Sequence, residues 1–329
     1  MKRPLLIAAL LAVIAAGAVQ WAVAAWDAPG PAAHSGSQTV VLIAPGTSLH
    51  HSAQKLGAAG VMNYPLLFEA GLRLTRQAAL VKAGEYAIPS RASMKAIAAI
   101  LVEGKSIQHK LTAAEGLTSK MIHDLVVQDG ALSGAAGPVP AEGTLLPETY
   151  LFTRGTARKK ILAEMTQAQQ KYLRAQWASR DGGLPFTTMR QAVTLASVVE
   201  KETALPEERR HIASVFINRL KLGMPLQSDP TIIYGLTGGY PLGHGLRQSE
   251  LDSNTPYNTY HIAGLPPGPI CNPGKDAIAA VLHPEKTADL YFVATGRGGH
   301  VFSSNIAEHQ RNVAALRALE RRARQQAPG

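Results

Sequence analysis

The sequence predicts an α+β protein in three parts: a single N-terminal transmembrane helix, a small α/β unit, and a larger mixed α+β unit. Three observations predict it. Leu5 to Ala25 is apolar apart from Gln20, strand-like runs such as Val40-Val41-Leu42-Ile43 alternate with capped helical segments, and 329 residues exceed what one core usually organises.

Taken in order, Met1-Lys2-Arg3-Pro4 is a short basic start, and the apolar run of about twenty residues after it can span a bilayer as a helix. Lys2 and Arg3 then stay cytoplasmic, Trp21 and Trp26 suit the far interface, and everything after Trp26 is exported. The rival is a cleaved signal peptide, because Ala22-Val23-Ala24 has the small-x-small pattern of a cleavage site. The apolar run is longer than the usual h-region, which favours an uncleaved anchor over residues 1–26. Residues 27–38, rich in Pro, Gly, Ser and Ala, read as a flexible linker.

Residues 39–106 form the small α/β unit. Val40 to Ile43 is a strand, Ser48 caps a helix that ends at Gly57, and Tyr64 to Leu74 is a second helix. Val81 to Pro89 is strand with a turn, and Ser93 caps a helix stopped by Gly104. The larger unit, 107–329, opens with a strand at Ile107–Leu111, a capping box at Thr112–Glu115, and a helix from Thr118. A small-residue loop covers 131–141. Helices follow at 156–178, 188–203 and 206–222, the last opened by Pro206 and closed by Gly223. The chain is loop-rich from 224 to 273, helical from Ala277 to Leu282, a hairpin over 290–303, and a long helix from Ile306 to Arg324.

Composition narrows the function classes. One cysteine, Cys271, excludes an intramolecular disulfide, and no Cys/His spacing resembles a zinc site. His50-His51 and His244 have no partners at ligand spacing, so neither a metal nor any other cofactor is expected. The net charge of +10 comes from dispersed Lys and Arg, densest at Arg317–Arg324, without the aromatic interleaving of a nucleic-acid surface. An anionic envelope polymer suits an exported basic chain better than nucleic acid does.

Glu200 stands out chemically. On the helix starting near Thr188, Ala192, Val193, Ala196, Val199 and Thr203 fall on one side, and Glu200 lies within roughly 60° of that stripe's centre. A carboxyl on a buried side titrates high, as a general acid must. Glu202 falls about 100° from the centre, at the edge, where it suits orienting a partner or meeting solvent. The plain alternative is that Glu200 pairs with Arg209 or Arg219 and ties two helices together.

Seven segments in fixed order carry a resemblance: Ala141-Glu142-Gly143-Thr144-Leu145-Leu146-Pro147-Glu148-Thr149-Tyr150, Ala196 to Thr203, Asn218-Arg219-Leu220, Leu226-Gln227-Ser228-Asp229-Pro230-Thr231, Tyr257-Asn258-Thr259-Tyr260, Gly264 to Ile270, and Gly298-Gly299-His300-Val301-Phe302. Together they resemble the endolytic murein transglycosylases, the YceG-like or MltG family, over about residues 39–320. The chain departs from the family pattern at Pro147-Glu148, where Pro-Asp is common, and at Leu145-Leu146, where an aromatic is usual. The resemblance implies a single membrane anchor in the inner (cytoplasmic) membrane, a LysM-like subdomain, and an extracytoplasmic catalytic domain. It implies peptidoglycan glycan strands as substrate, with peptidoglycan synthases as candidate protein partners. It also implies a lytic cut between N-acetylmuramic acid and N-acetylglucosamine that leaves a 1,6-anhydromuramoyl end, with Glu200, the first acid of Val199-Glu200-Lys201-Glu202-Thr203, as catalytic glutamate.

Such a cut needs one acid/base group, because the C6 hydroxyl of the muramoyl sugar is the nucleophile. A hydrolase would need a second carboxylate about 5–5.5 Å or about 6.5–9.5 Å away, and Glu148, Glu202 and Asp229 are the candidates. Gln227 and Asn258 suit hydrogen bonding to acetamido and hydroxyl groups, and Tyr257 and Tyr260 suit stacking on sugar faces. His300 either bonds the catalytic acid or starts a strand, Asp229 before Pro230 also reads as a turn former, and Glu142 reads as the partner of a buried Arg. Two other functions stay open at this point: a muramidase-type hydrolase, and a noncatalytic glycan-binding scaffold.

Overall fold

The structure, a computed structural model, describes residues 2–326. Met1 and residues 327–329 lie outside the described residues, as do the side chains of residues 2–5, 324 and 326, and with them the basic start and the end of the Arg317–Arg324 cluster. Contacts divide the chain into two units. The first holds residues 1–110, 130–133 and 151–156, and the second holds 111–129, 134–150 and 157–329.

In the first unit, α1 (Lys2–Asp27) leads. Its Leu6–Asp27 stretch has a mean hydropathy of 2.3 and none of its most apolar window is buried, so it is a candidate membrane anchor by length and composition. β1 (Gln38–Ile43) and β2 (Gly84–Pro89) pair antiparallel from Gln38↔Pro89 to Ile43↔Gly84. Their two-residue alternation puts Val41, Ile43, Tyr86 and Ile88 on one face, buried beneath α2 (Leu49–Ala58), α3 (Pro65–Leu74) and α4 (Met94–Glu103). Ser48 and Ser93 cap α2 and α4 by accepting the N–H of His51 and Ala96 at 3.2 Å, each cap contributing about 1 kcal/mol. Gly104, at φ 75°, ends α4 in the left-handed conformation that a residue without Cβ adopts at little cost.

Residues 28–37 depart from the flexible linker expected there. Gly30 N–H donates to Arg91 O, Arg91 N–H to Pro31 O, Ser90 N–H to Ser37 O, and Ala33 N–H to Ser90 Oγ, all within 3.2 Å. A segment of small residues carries few side-chain partners for its own backbone, so it bonds the exposed turn after β2.

In the second unit the expected capping box at Thr112–Glu115 does not form. Thr112 ends β3 (Gln108–Thr112), and its hydroxyl lies 2.9 Å from Thr149 Oγ1 at the start of β4 (Thr149–Thr153). The helix begins later, as α5 (Ser119–Gln128) with Thr118 as its cap. α6 (Arg158–Ala178) leads to α7 (Met189–Glu202), which opens with a capping box from Thr188 and Gln191. A single 3₁₀ turn at Pro206–Glu208 precedes α8 (Arg209–Lys221).

The stretch 224–273 is less irregular than expected, since it contains α9 (Asp229–Thr237) and the short α10 (Gln248–Leu251). Asp229-Pro230 opens α9 where it reads as a turn. Gly235, a weak helix former, sits inside α9 because a Cβ there would lie 2.4 Å from Thr255 Oγ1. α11 (Lys275–Leu282), the antiparallel hairpin of β5 (Tyr291–Ala294) and β6 (His300–Ser303), and α12 (Ile306–Gln326) complete the unit.

α7 is the central helix, contacted by α6, α8, α9 and α11. All residues from Ala192 to Val199 are buried, so this helix has no solvent side along its middle. Leu195, Val198, Val199, Ile212, Phe216, Ile278 and Val281 form its core. Each such fully buried side chain contributes about 1.5–3 kcal/mol through lost apolar exposure.

Candidate functional site

Where α7 runs out of neighbours, a groove of about 450 Å³ opens between its C-terminal end, the end of α8, the start of α9 and the β5–β6 hairpin. Glu202, Arg219, Gln227, Asp229, Tyr260 and His300 line it, with Leu226, Phe292, Val293, Ala294 and His309. Five of the residues expected at the site from sequence therefore converge.

Glu202 is the acid at the wall of this groove. Burial drives its carboxyl up to about 7, and the negative charge of Asp229 adds to the rise. The Ser228 hydroxyl donates to Glu202 Oε1, and His300 and Arg219 supply positive field; these act the other way without cancelling the burial. Asp229 is the first residue of α9, and its Oδ1 accepts the Tyr260 hydroxyl at 2.7 Å. Burial and that carboxylate push the Tyr260 hydroxyl well up, so it remains a donor.

His300 is held from behind. Its Nδ1 lies 2.7 Å from Glu208 Oε2, and its backbone N–H donates to Glu208 Oε1 at 2.8 Å. With Nδ1–H given to the carboxylate, Nε2 is the free nitrogen. Burial raises the Glu208 carboxyl, but the hydrogen bonds from His300 outweigh it, and the group sits below its ordinary value. Gly299, at φ 78°, lets Glu208 reach this far, because a Cβ there would lie 2.7 Å from Glu208 Oε1.

Arg219 and Gln227 set the floor. Arg219 Nε donates to Leu290 O at 2.7 Å, and its Nη1 donates to Leu226 O at 2.9 Å and Gln227 Oε1 at 3.2 Å. Its guanidinium also stacks over Tyr291, 5.1 Å from the ring centroid.

Glu200, expected on a groove wall, does not line this groove. Two residues along a helix turn the side chain by about 200°, so Glu200 and Glu202 leave α7 on nearly opposite sides. Glu200 Oε2 accepts the Gly274 N–H at 2.9 Å, and Oε1 lies 3.5 Å from Arg209 Nη2. Arg209 also reaches Glu115 at 3.5 Å and Asp276 at 3.3 Å. Burial raises the Glu200 carboxyl too. This is the helix-tying arrangement that the sequence left open as the alternative.

Three further expected contacts also lie outside the groove. Asn258 is fully buried and saturated: its Nδ2 donates to Leu251 O and Ser253 O at 2.8 Å, and its Oδ1 accepts the Tyr260 N–H at 3.0 Å. It braces its own loop, because buried loop backbone needs partners that only a local amide supplies. Tyr257 packs on Tyr234 with ring centroids 4.8 Å apart, and Glu148 pairs with Lys275 near the surface. Glu142 takes no arginine among the described residues; it accepts Ser119 N–H at 2.7 Å and Asn272 Nδ2–H at 3.1 Å.

Sequence reasoning missed Arg219, Ser228, Glu208 and His309 as site residues. Arg219 carries a signal, being a charge at the i+7 position of the buried Ile212, Val215, Phe216 stripe. Glu208 carries none, since it meets His300 across 92 residues of sequence.

The YceG-like family pattern matches residues 41–315. The chain belongs to the YceG-like family. Two relatives, both named endolytic murein transglycosylase, come from Bacillus subtilis (39% identical over 173 residues) and Streptococcus pneumoniae (39% over 179 residues). These matches cover 52% and 53% of this YceG-like chain, but only 47% and 32% of the relatives, so the aligned part spans about half of those proteins or less. The crystal structure of a yceG-like protein from Listeria monocytogenes is 29% identical, with a TM-score of 0.54 over 84% of this chain and 99% of that one.

Proposed function

We propose that this chain is an endolytic murein transglycosylase, a carbon–oxygen lyase acting on peptidoglycan, and that Glu202 rather than Glu200 is its general acid/base. One observation carries the assignment: of the two acids in the motif, Glu202 lines a polar groove and is held near pH 7, where it keeps a transferable proton. In the reaction, Glu202 protonates the glycosidic oxygen between N-acetylmuramic acid and N-acetylglucosamine as the C1–O bond breaks. The muramoyl C6 oxygen then bonds C1, and the Glu202 carboxylate takes the C6 hydroxyl proton. The acid is restored and a 1,6-anhydromuramoyl end remains. Intramolecular attack needs no positioned water. Gln227, Tyr260 and His300 Nε2 supply the donors and acceptors for sugar hydroxyl and acetamido groups.

Around this chemistry, α1 anchors the protein in the cytoplasmic membrane with both units on the extracytoplasmic side. The small unit acts as a LysM-like glycan-holding module, and peptidoglycan synthases are the candidate protein partners. The presence of Asp229 in the same groove favours one second reading, a hydrolase in which Asp229 activates water. Digestion of purified peptidoglycan in heavy-oxygen water separates the two. Anhydro ends without label are expected; label at the new muramoyl ends would move the enzyme to the hydrolases.

A further inference from the structure

The end of α1 is clamped to the first unit, and the clamp fixes a level. The Trp21 ring meets Tyr64 edge-on with centroids 5.3 Å apart, and Trp26 stacks on Phe68 at 5.8 Å. Trp26 also presses on Gly71, where a Cβ would lie 2.3 Å from its ring. Five residues along α1, an advance of about 7.5 Å, thus correspond to between four and seven along α3, about 6–10 Å, at about 1.5 Å per residue. α3 therefore runs beside the end of α1 in the same direction, with its first residues level with Trp21. The Asp27–Lys95 pair at 3.1 Å and the hydrogen bonds of residues 28–37 hold the junction further.

Depth follows from the apolar run. Leu5 to Ala25 spans about 31 Å as a helix, close to the hydrocarbon thickness of about 30 Å, so Trp21 lies about 6 Å inside the outer end. Tyr64 shares that level, and it and Leu66 are 44% and 71% exposed. Beside them a groove of about 340 Å³ is lined by Trp21, Ala24, Ala25, Met62, Tyr64 and Met94.

We infer that Tyr64-Pro65-Leu66 at the start of α3, together with the outer end of α1, forms a lipid-binding seat that sets the first unit directly on the bilayer, with phospholipid filling the groove beside Trp21. The inference rests on reading α1 as a membrane anchor. A soluble partner cannot reach a surface level with Trp21, inside the end of the apolar run, whereas lipid is already there. Aromatic rings with one polar end, such as Trp21 and Tyr64, suit the headgroup boundary, and Leu66 adds apolar surface to it.

The test places an environment-sensitive fluorophore on single cysteines at Ile14→Cys, Leu66→Cys and Leu74→Cys in the full-length chain, reconstituted in phosphatidylcholine–phosphatidylglycerol vesicles. Cys271 is fully buried, so the parent protein takes no label under native conditions and serves as the blank. Shallow nitroxide lipid should quench the Leu66 label about twofold or more, leave Leu74, at the far end of α3, unquenched, and deep nitroxide lipid should quench Ile14. Quenching at Ile14 with none at Leu66 would overturn the seat and leave the anchor standing. No quenching at any of the three would remove the anchor reading and the seat with it. A Leu66 label shielded from aqueous iodide yet untouched by nitroxide lipid would mean that protein covers the patch, which also overturns the proposal.

Discussion

Two carboxylates two residues apart on α7 occupy opposite regimes. Around Glu200, Gly274 N–H and Arg209 take the carboxylate oxygens, and Arg209 also serves Glu115 and Asp276. Around Glu202, only the Ser228 hydroxyl donates to the carboxyl among the described residues, and the side chain also lines a groove with Asp229, Tyr260 and His300 on its walls. Both acids are raised by burial, so a raised pKa does not by itself distinguish a catalyst from a structural tie. The two differ in the space beside them: Glu202 lines the groove and Glu200 does not.

The comparison breaks most directly by neutralising each acid. Glu202→Gln should lower turnover on peptidoglycan by about 10²–10⁴ with little change in melting temperature, because the amide keeps the volume but has no proton to give. Glu200→Gln should leave turnover within about tenfold of the parent, an effect below the range expected for removing a general acid. Equal losses for the two variants, followed by product release, would erase the distinction. The Glu200 side should instead answer in stability. Arg209→Met strips the cation from a buried carboxylate and should cost about 3 kcal/mol in denaturant unfolding. An unchanged midpoint would show that the cluster ties nothing together.

A smaller effect sharpens the groove side. Glu208→Gln leaves the His300 ring free to turn, and kcat should fall about tenfold while KM changes less, with partial recovery in Glu208→Asp. Equal falls in Glu208→Gln and Glu208→Asp, tracking lost folded protein, would make Glu208 merely structural. The finest test is the pH profile. The acid must be protonated, so kcat should decline as pH rises through about 7. Ser228→Ala removes a hydrogen bond that favours the ionised form and should move that limb to higher pH. Asp229→Asn removes a like charge that disfavours it and should move the limb to lower pH. Shifts in the same direction would assign the limb to another group.

Much of this was readable in the residues, and the failures have physical causes. The apolar N-terminal run, the Ser48 and Ser93 caps, the hairpin at 291–303 and the long last helix rest on local signals that tertiary packing did not override. α9 escaped notice because Gly235 is a weak helix former and Asp229-Pro230 fits a turn as well as a helix start, and close approach to the Thr255 loop rewards the glycine. At the site, Gln227, Asp229, Tyr260 and His300 were legible as polar residues in dense turn-rich segments. The different placements of Glu200 and Glu202 were not. A helical wheel locates a buried side only when a helix has one, and four helices surround α7. Asn258 misled for a related reason: a polar residue in a loop looks like a ligand contact until the loop's own carbonyls claim it.

Gln227 gives the groove a signature that selection in the laboratory can read. Its φ of 55° puts a residue with a Cβ in the left-handed region, at a cost of about 1–2 kcal/mol. The conformation is held by its N–H to Thr259 O at 3.0 Å and by Arg219 on its side chain at 3.2 Å. Glycine or asparagine would suit that backbone better, yet glycine has no side chain and asparagine is one methylene short of the reach to Arg219. A saturation library at position 227 sorted for folded protein should therefore drift towards glycine and asparagine, while the same library sorted for glycan cleavage should return to glutamine.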